Sequence, residues 1–257
     1  GKLVQIIKDQ NAQLNIQLAT KDNRVLDTKN LYFEPTVSKE GENQVISLKL
    51  KTSETAYLEY RYSLKPNEYM MDFSIKSVGL SEVLNTQKPL QLDWSLKAYR
   101  NEKSMDYENR YAELVYEYEG GKDDYLGQSD DKEVAQEVSY IAYKQHFFTS
   151  ILLTDAAFPE AQLESKNLVV DKEKDTIFSK EFKAIVPLAF KGGEVNYNMN
   201  WYYGPADYKI LNDYDKNLDE IIPLGWGIFG WINKFIFIPV YDFLIMFLPH
   251  GIAIIIF

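Results

Sequence analysis

Apolar and polar residues alternate with a period of two along most of the chain as far as about residue 204. Ala12, Leu14, Ile16 and Leu18 share one face, then Ile46, Leu48 and Leu50, then Ala56, Leu58, Tyr60, Tyr62 and Leu64. Alternation of this kind marks strands with one buried face. Lys65-Pro66-Asn67-Glu68 reads as a hairpin turn, because proline presets φ and asparagine tolerates a left-handed backbone. Tyr69, Met71, Phe73 and Ile75 form the returning strand. Leu90, Leu92, Trp94, Leu96 and Ala98 alternate again, as do Ala112, Leu114, Tyr116 and Tyr118, and later Val195, Tyr197, Met199, Trp201 and Tyr203. No helical period appears before about Asp207. Roughly fifteen strands are too many for one small barrel, so the pattern predicts an all-β domain of two large facing antiparallel sheets. Trp94 and Trp201 are expected in its core.

After Gly204-Pro205 the pattern changes. ADYKILNDYDKNLDEIIPL predicts two short helices, with Pro205 in the first turn of one and Asp215 capping the other. Leu218, Ile221 and Ile222 give the second an apolar side, and Pro223 stops it. From Gly225 to Phe257 the chain is almost wholly apolar, with Lys234 and Asp242 as its two charges. As a helix, residues 225–248 would be about 36 Å long, enough to cross a bilayer. Lys234 and Asp242 would each cost roughly 2.5–3.5 kcal/mol near the bilayer centre. Their spacing puts them about 80° apart on a helix, a narrow polar side suited to headgroups. Trp226 and Trp231 are interface residues by type, and Pro239 is expected to bend or break the helix. The favoured reading is a helix lying in the interface, then a bend at Pro249-His250-Gly251, then a spanning helix. Spanning by residues 225–248 themselves is the alternative. Four regions follow: a β domain at 1–204, a helical linker at 205–223, an amphipathic interfacial helix at 224–248, and the start of a transmembrane helix at 249–257. The run breaks off at IAIIIF, so the chain is expected to be a slice of something longer.

Charge and chemistry narrow the function. The net charge of −10 lies entirely before the tail. That balance opposes nucleic-acid binding and flat adsorption of the body on anionic lipid. Residues 101–133 hold eleven Asp or Glu against four Lys or Arg. Their glycines and aspartates hint at calcium, but the spacing fits no EF-hand loop. A solvated acidic loop is expected there. With no cysteine, disulfides, thiolate nucleophiles and zinc–thiolate sites are excluded. His146 lies in an apolar strand pattern and has no second body histidine to converge with. Gly192-Gly193 reads as a turn. No catalytic, cofactor-binding or metal-binding residue is predicted, and no enzyme activity. The candidate residues are in the tail. Trp226, Phe229, Trp231, Lys234 and Phe235 are expected at the membrane interface, with Lys234 reaching toward phosphates. Pro223, Gly225, Gly227, Pro249 and Gly251 are expected to act as hinges.

Three strings carry a family resemblance: YIAYKQHFFTSILL at 140–153, YYGPADYKIL at 202–211, and LDEIIPLGWGIFGWINKFIFIPVYDFL at 218–244. In order and spacing they resemble the large periplasmic domain of the YidC membrane protein insertase family and its junction into the membrane. The GWGIFGWIN spelling resembles Bacteroidetes-type members. Lys144 stands where the family pattern is apolar. The resemblance implies a galactose-mutarotase-like supersandwich without the catalytic residues of those enzymes. It also implies a bacterial inner-membrane location with this domain in the periplasm. Nascent membrane proteins would be the clients, handled alone or beside the Sec translocon. A carbohydrate-binding or carbohydrate-active mutarotase-like domain is the rival reading, and a plain structural ectodomain a third.

Overall fold

The alternating segments become thirteen strands in one hydrogen-bonded antiparallel sheet, in a computed structural model that describes residues 5–127, 129–171, 174–175, 177–249 and 251–252. The strands are β1 (Ala12–Ala19), β2 (Val25–Asp27), β3 (Glu34–Glu40), β4 (Asn43–Lys51), β5 (Tyr57–Leu64), β6 (Met70–Val78) and β7 (Leu90–Tyr99). After a helix, α1 (Met105–Tyr111), come β8 (Glu113–Tyr118), β9 (Lys122–Leu126), β10 (Asp131–Lys144), β11 (Phe148–Asn167), β12 (Phe178–Leu188) and β13 (Asn196–Pro205). There are fewer strands than expected partly because β11 runs unbroken for 20 residues.

That long strand organises the sheet. β10 follows one edge of β11 from Lys144↔Thr149 to Asp131↔Ser165. The other edge is shared, with residues 148–154 pairing with β13 and residues 162–167 with β12. The sheet therefore forks. One arm runs β12-β7-β1-β2 and the other β13-β6-β5-β4-β3. The arms face one another. Trp94 on β7 meets Trp201 on β13 edge-on, with ring centroids 4.6 Å apart, although their strands are not hydrogen-bonded neighbours. Trp94 also stacks on Tyr143 at 3.7 Å. The Tyr143 hydroxyl donates to the Trp94 carbonyl at 2.8 Å, so its polar end is satisfied inside the core. The two facing antiparallel layers expected from the alternation are thus the two arms of one continuous sheet. Both tryptophans are buried. The expected turns form as well, with Asn67 at φ +62° and Gly192 and Gly193 at φ +62° and +83°.

Two expectations fail between residues 101 and 133. A helix, α1, sits among the strands, although helices were expected only after residue 205. The Ser104 side chain caps it by accepting from the Tyr107 N–H at 3.2 Å. Asp106 and Glu108 near its start and Arg110 near its end suit the helix dipole. Seven residues are too few to display a helical period, which is why the pattern hid it. Nor is the acidic segment a solvated loop, since it contains α1, β8, β9 and the start of β10. Leu114, Val115, Tyr116 and Leu126 are buried there. Glu108 is buried too. It accepts from the Asn101 N–H at 2.7 Å and the Glu102 N–H at 3.0 Å, while burial pushes its carboxyl above the usual range.

Lys180, on β12, is fully buried and donates through Nζ to the Gly127 carbonyl. Burial pulls its ammonium down to about 8, against the opposing pull of Glu113 and Asp130. A cation whose folded pKa is lowered holds fewer protons folded than unfolded once the pH passes that value. Stability is therefore expected to rise with pH from about 7, by about 1 kcal/mol by pH 9. The buried tyrosines, whose folded values are raised, oppose this only weakly up to pH 9, where about a tenth of each is ionised in the unfolded chain. Urea unfolding at pH 7, 8 and 9 checks this. The Lys180→Met variant should lose the rise, and an equal rise in that variant would assign it to another group.

Candidate membrane-interface site

The second compact unit, Asp207–Phe257, begins just beyond β13. Pro205, expected in a helical turn, is instead the last residue of β13 and pairs with Phe148. Asp207 supplies the cap. Its side chain accepts from the Lys209 N–H at 3.0 Å and the Ile210 N–H at 3.1 Å, opening α2 (Tyr208–Asn212). The expected second helix is a single 3-10 turn, Leu218–Ile221. Asn217 precedes it in the left-handed region, and Asp215, expected to cap it, is itself at φ +51°. Leu211, Leu218 and Ile221 are buried, with Asp219 nearly so.

Beyond Pro223 the chain turns at Gly225 (φ +101°) and Gly227 (φ +58°), where a side chain would be strained. Gly230 has a different role. A Cβ there would lie 2.4 Å from the Gly225 carbonyl oxygen, so the turn closes against the first helical turn only without one.

One continuous helix follows, built from α3 (Ile228–Ile232), a π-helical turn (Asn233–Phe237) and α4 (Ile238–Ile245). Pro239 does not break it. Proline lacks an N–H and its ring collides with the carbonyl four residues back. The helix widens just ahead of it, so that the Ile238 N–H reaches back five residues to the Asn233 carbonyl. The 18 residues from Ile228 to Ile245 have a mean hydropathy of 1.5, and none is buried. By length and composition they suffice to cross a membrane.

The helix's polar residues turn toward the linker. Lys234 Nζ lies 3.0 Å from Asp219 Oδ2 and 3.7 Å from Glu220 Oε1. The Lys209 ammonium pairs with the Asp242 carboxylate. Asn233 donates through Nδ2 to the Leu224 carbonyl at 2.5 Å. Two ion pairs, eight helical positions apart, clasp residues 207–224 along one flank of the helix. In water each would be worth about 0–1 kcal/mol. Beside hydrocarbon they neutralise charges that would otherwise be expensive.

Of the residues singled out in the sequence, Trp226, Phe229, Trp231 and Phe235 stand exposed, Trp226 at 82%. Lys234, expected to reach toward phosphates, is held by Asp219 and Glu220 instead. Pro223, Gly225 and Gly227 lie at the turn into the helix. Pro249 follows its end and accepts from the Ile252 N–H at 2.9 Å, with Gly251 between them. His250 and the expected spanning run from residue 253 lie outside the described residues. Sequence reasoning missed Lys209, Asp219, Glu220 and Gly230. Opposite charges flanking an apolar run were the available signal for the first three, and the GWGIFG glycine repeat for the last.

His146 occupies the loop between β10 and β11 rather than a strand. Its Nδ1 meets the Glu102 carboxylate, and its ring stacks on Tyr111 at 4.5 Å. This ties α1 to the hairpin end. Among the described residues, no three histidine or acidic side chains converge as metal ligands would.

Residues 2–239 match the model of the YidC periplasmic domain. This chain belongs to that family. A YidC membrane protein insertase from Parabacteroides distasonis is 34% identical over 97% of this chain and 40% of its own length. One from Bacteroides fragilis is 32% identical over 95% and 40%. The chain thus spans about two fifths of the YidC relatives it matches, all named as insertases rather than enzymes. A solved Escherichia coli structure assigned as an aldose 1-epimerase superposes with a TM-score of 0.38 at 8% identity, over 67% of this chain and 68% of that one.

Proposed function

We propose that the chain is the accessory, non-catalytic portion of a membrane protein insertase, with its β unit in the periplasm. The unit at 207–257 would fasten it to the inner membrane, and the clients would be nascent membrane proteins, handled alone or beside the Sec translocon. Family membership supports the insertase role. The observation that carries the membrane pose is the clasp. Because Lys234 and Asp242 are tied to residues 207–222, the helix could enter the bilayer upright only by dragging that segment with it. Asp213, Asp215 and Lys216 in that segment are exposed charges, which hydrocarbon would penalise heavily. Lying in the interface keeps the segment wet and gives the aromatic residues to lipid. The hinge would then set how the β unit stands over the membrane.

This chain has no cysteine, and single-cysteine variants of the full-length protein, with any cysteine outside this chain replaced, test both parts of this reading. Probes at residues 228 and 245 should report similar depths by lipid-borne quenchers. An upright helix would separate them by about 25 Å. Ser38→Cys on β3 should react with an impermeant thiol reagent in intact spheroplasts. Depths on opposite sides of the midplane would end the interfacial reading, and labelling only after lysis would end the periplasmic one.

A further inference from the structure

At one end of the β unit the two arms part to leave a cavity of about 180 Å³. Trp94 and Trp201 form its floor, Leu14 lies on one wall, Tyr62 and Tyr203 are on the other, and Gln13 is at the rim. Tyr203 stacks on Trp201 at 5.7 Å and Tyr62 on Phe73 at 4.7 Å, so both phenol rings are fixed by packing. Burial pushes both phenols well above their usual range. Neither hydroxyl has a hydrogen-bond partner among the described residues. Both side chains are half-buried, so their hydroxyls stay open to a ligand entering from the rim. Among the described residues no charged side chain lines the cavity. Its aromatic and aliphatic walls offer water few partners, and a dry cavity of about 150 Å³ is known to accept benzene.

We propose that this cavity is a binding site for a neutral aromatic ring bearing one hydrogen-bonding group, a phenol or an indole. The ring would lie against Trp94 and Trp201, and its O–H or N–H would meet the Tyr62 or the Tyr203 hydroxyl. Such a ring reaches the site either as a free small molecule or as a Tyr or Trp side chain of a polypeptide. The inference goes beyond the membrane role and does not depend on it.

Gln13→Cys puts a single thiol at the rim of a chain that has none. Its maleimide labelling is followed in the full chain in lipid nanodiscs, with free probe concentrations measured. N-acetyltryptophanamide and p-cresol are one arm. An extended Gly-Ser peptide with one central Trp is the other. Labelling should slow about threefold at twice the probe's dissociation constant. Protection by the small probes alone assigns a free ligand, and protection that includes the peptide assigns a side chain. The added Tyr62→Phe and Tyr203→Phe pair, which keeps both rings, should remove most of the protection. Leu14→Phe, which fills the space, should remove it too. The site is refuted if neither arm protects, if the phenylalanine pair is protected equally, or if a remote Ser38→Cys thiol slows as much.

Discussion

Replacing Trp226, Trp231 and Phe235 together with serine is expected to weaken the chain's hold on lipid by orders of magnitude. Each ring is exposed in the structure. Burying a large apolar side chain is worth roughly 1.5–3 kcal/mol, so the three together supply about 4–9 kcal/mol of membrane affinity. The acidic body adds nothing to that, since it is repelled by anionic headgroups. In flotation on neutral liposomes the triple variant should need far more lipid than the parent chain to rise, although Ile228, Phe229, Phe243, Met246 and Phe247 remain exposed to hold it. In the full-length protein, client insertion at matched expression should fall more with this triple than with Asp106→Asn, Asp123→Asn and Asp124→Asn combined. The acidic segment must be tested by neutralisation, because removing it would delete β8 and β9 from the sheet. A larger defect from the asparagine set would make the acidic surface, not the anchored helix, the working part.

The largest stability effect is expected at Trp94. Its ring contacts Tyr143 and Trp201, and its carbonyl holds the Tyr143 hydroxyl, so one residue joins both arms and β10. Truncation to alanine should cost about 3–5 kcal/mol, since the surrounding strands cannot collapse into the space. Against a typical domain stability of roughly 5–15 kcal/mol this is a large fraction. Chemical denaturation of Trp94→Ala, with Trp94→Phe as the milder comparison, measures it. A loss below about 1 kcal/mol would mean that the arms do not depend on this contact.

Much of the β unit was legible because a half-buried strand writes its buried face into the sequence at every second position. The runs at 57–64 and 90–99 needed nothing more. The fork at β11 was not legible, since alternation tells which face is buried but not which strands share an edge. Helix α1 escaped because a cap and seven residues leave no periodic trace. In the second unit the composition of residues 225–248 announced an apolar helix long enough to cross a membrane, and the glycines marked the turn into it. The clasp was hidden for another reason. Lys234 and Asp242 read as a polar side facing outward, and only the fold of 207–222 supplies Asp219, Glu220 and Lys209 to meet them. The Tyr62–Tyr203 pair was equally invisible, because both residues simply continue their strands' alternation.

The forked sheet has a mechanical consequence. β13 is the strand through which the chain leaves the β unit, and it is hydrogen-bonded on both sides, to β11 and to β6. The Ala206 N–H, just past its end, is still bonded to the Phe147 carbonyl at 2.8 Å. A pull arriving at that point along the strand loads two ladders in shear at once, instead of peeling an edge strand one bond at a time. Tension entering from residue 207 onward is therefore met first by the middle of the sheet rather than by the edge strands β2, β3 and β9.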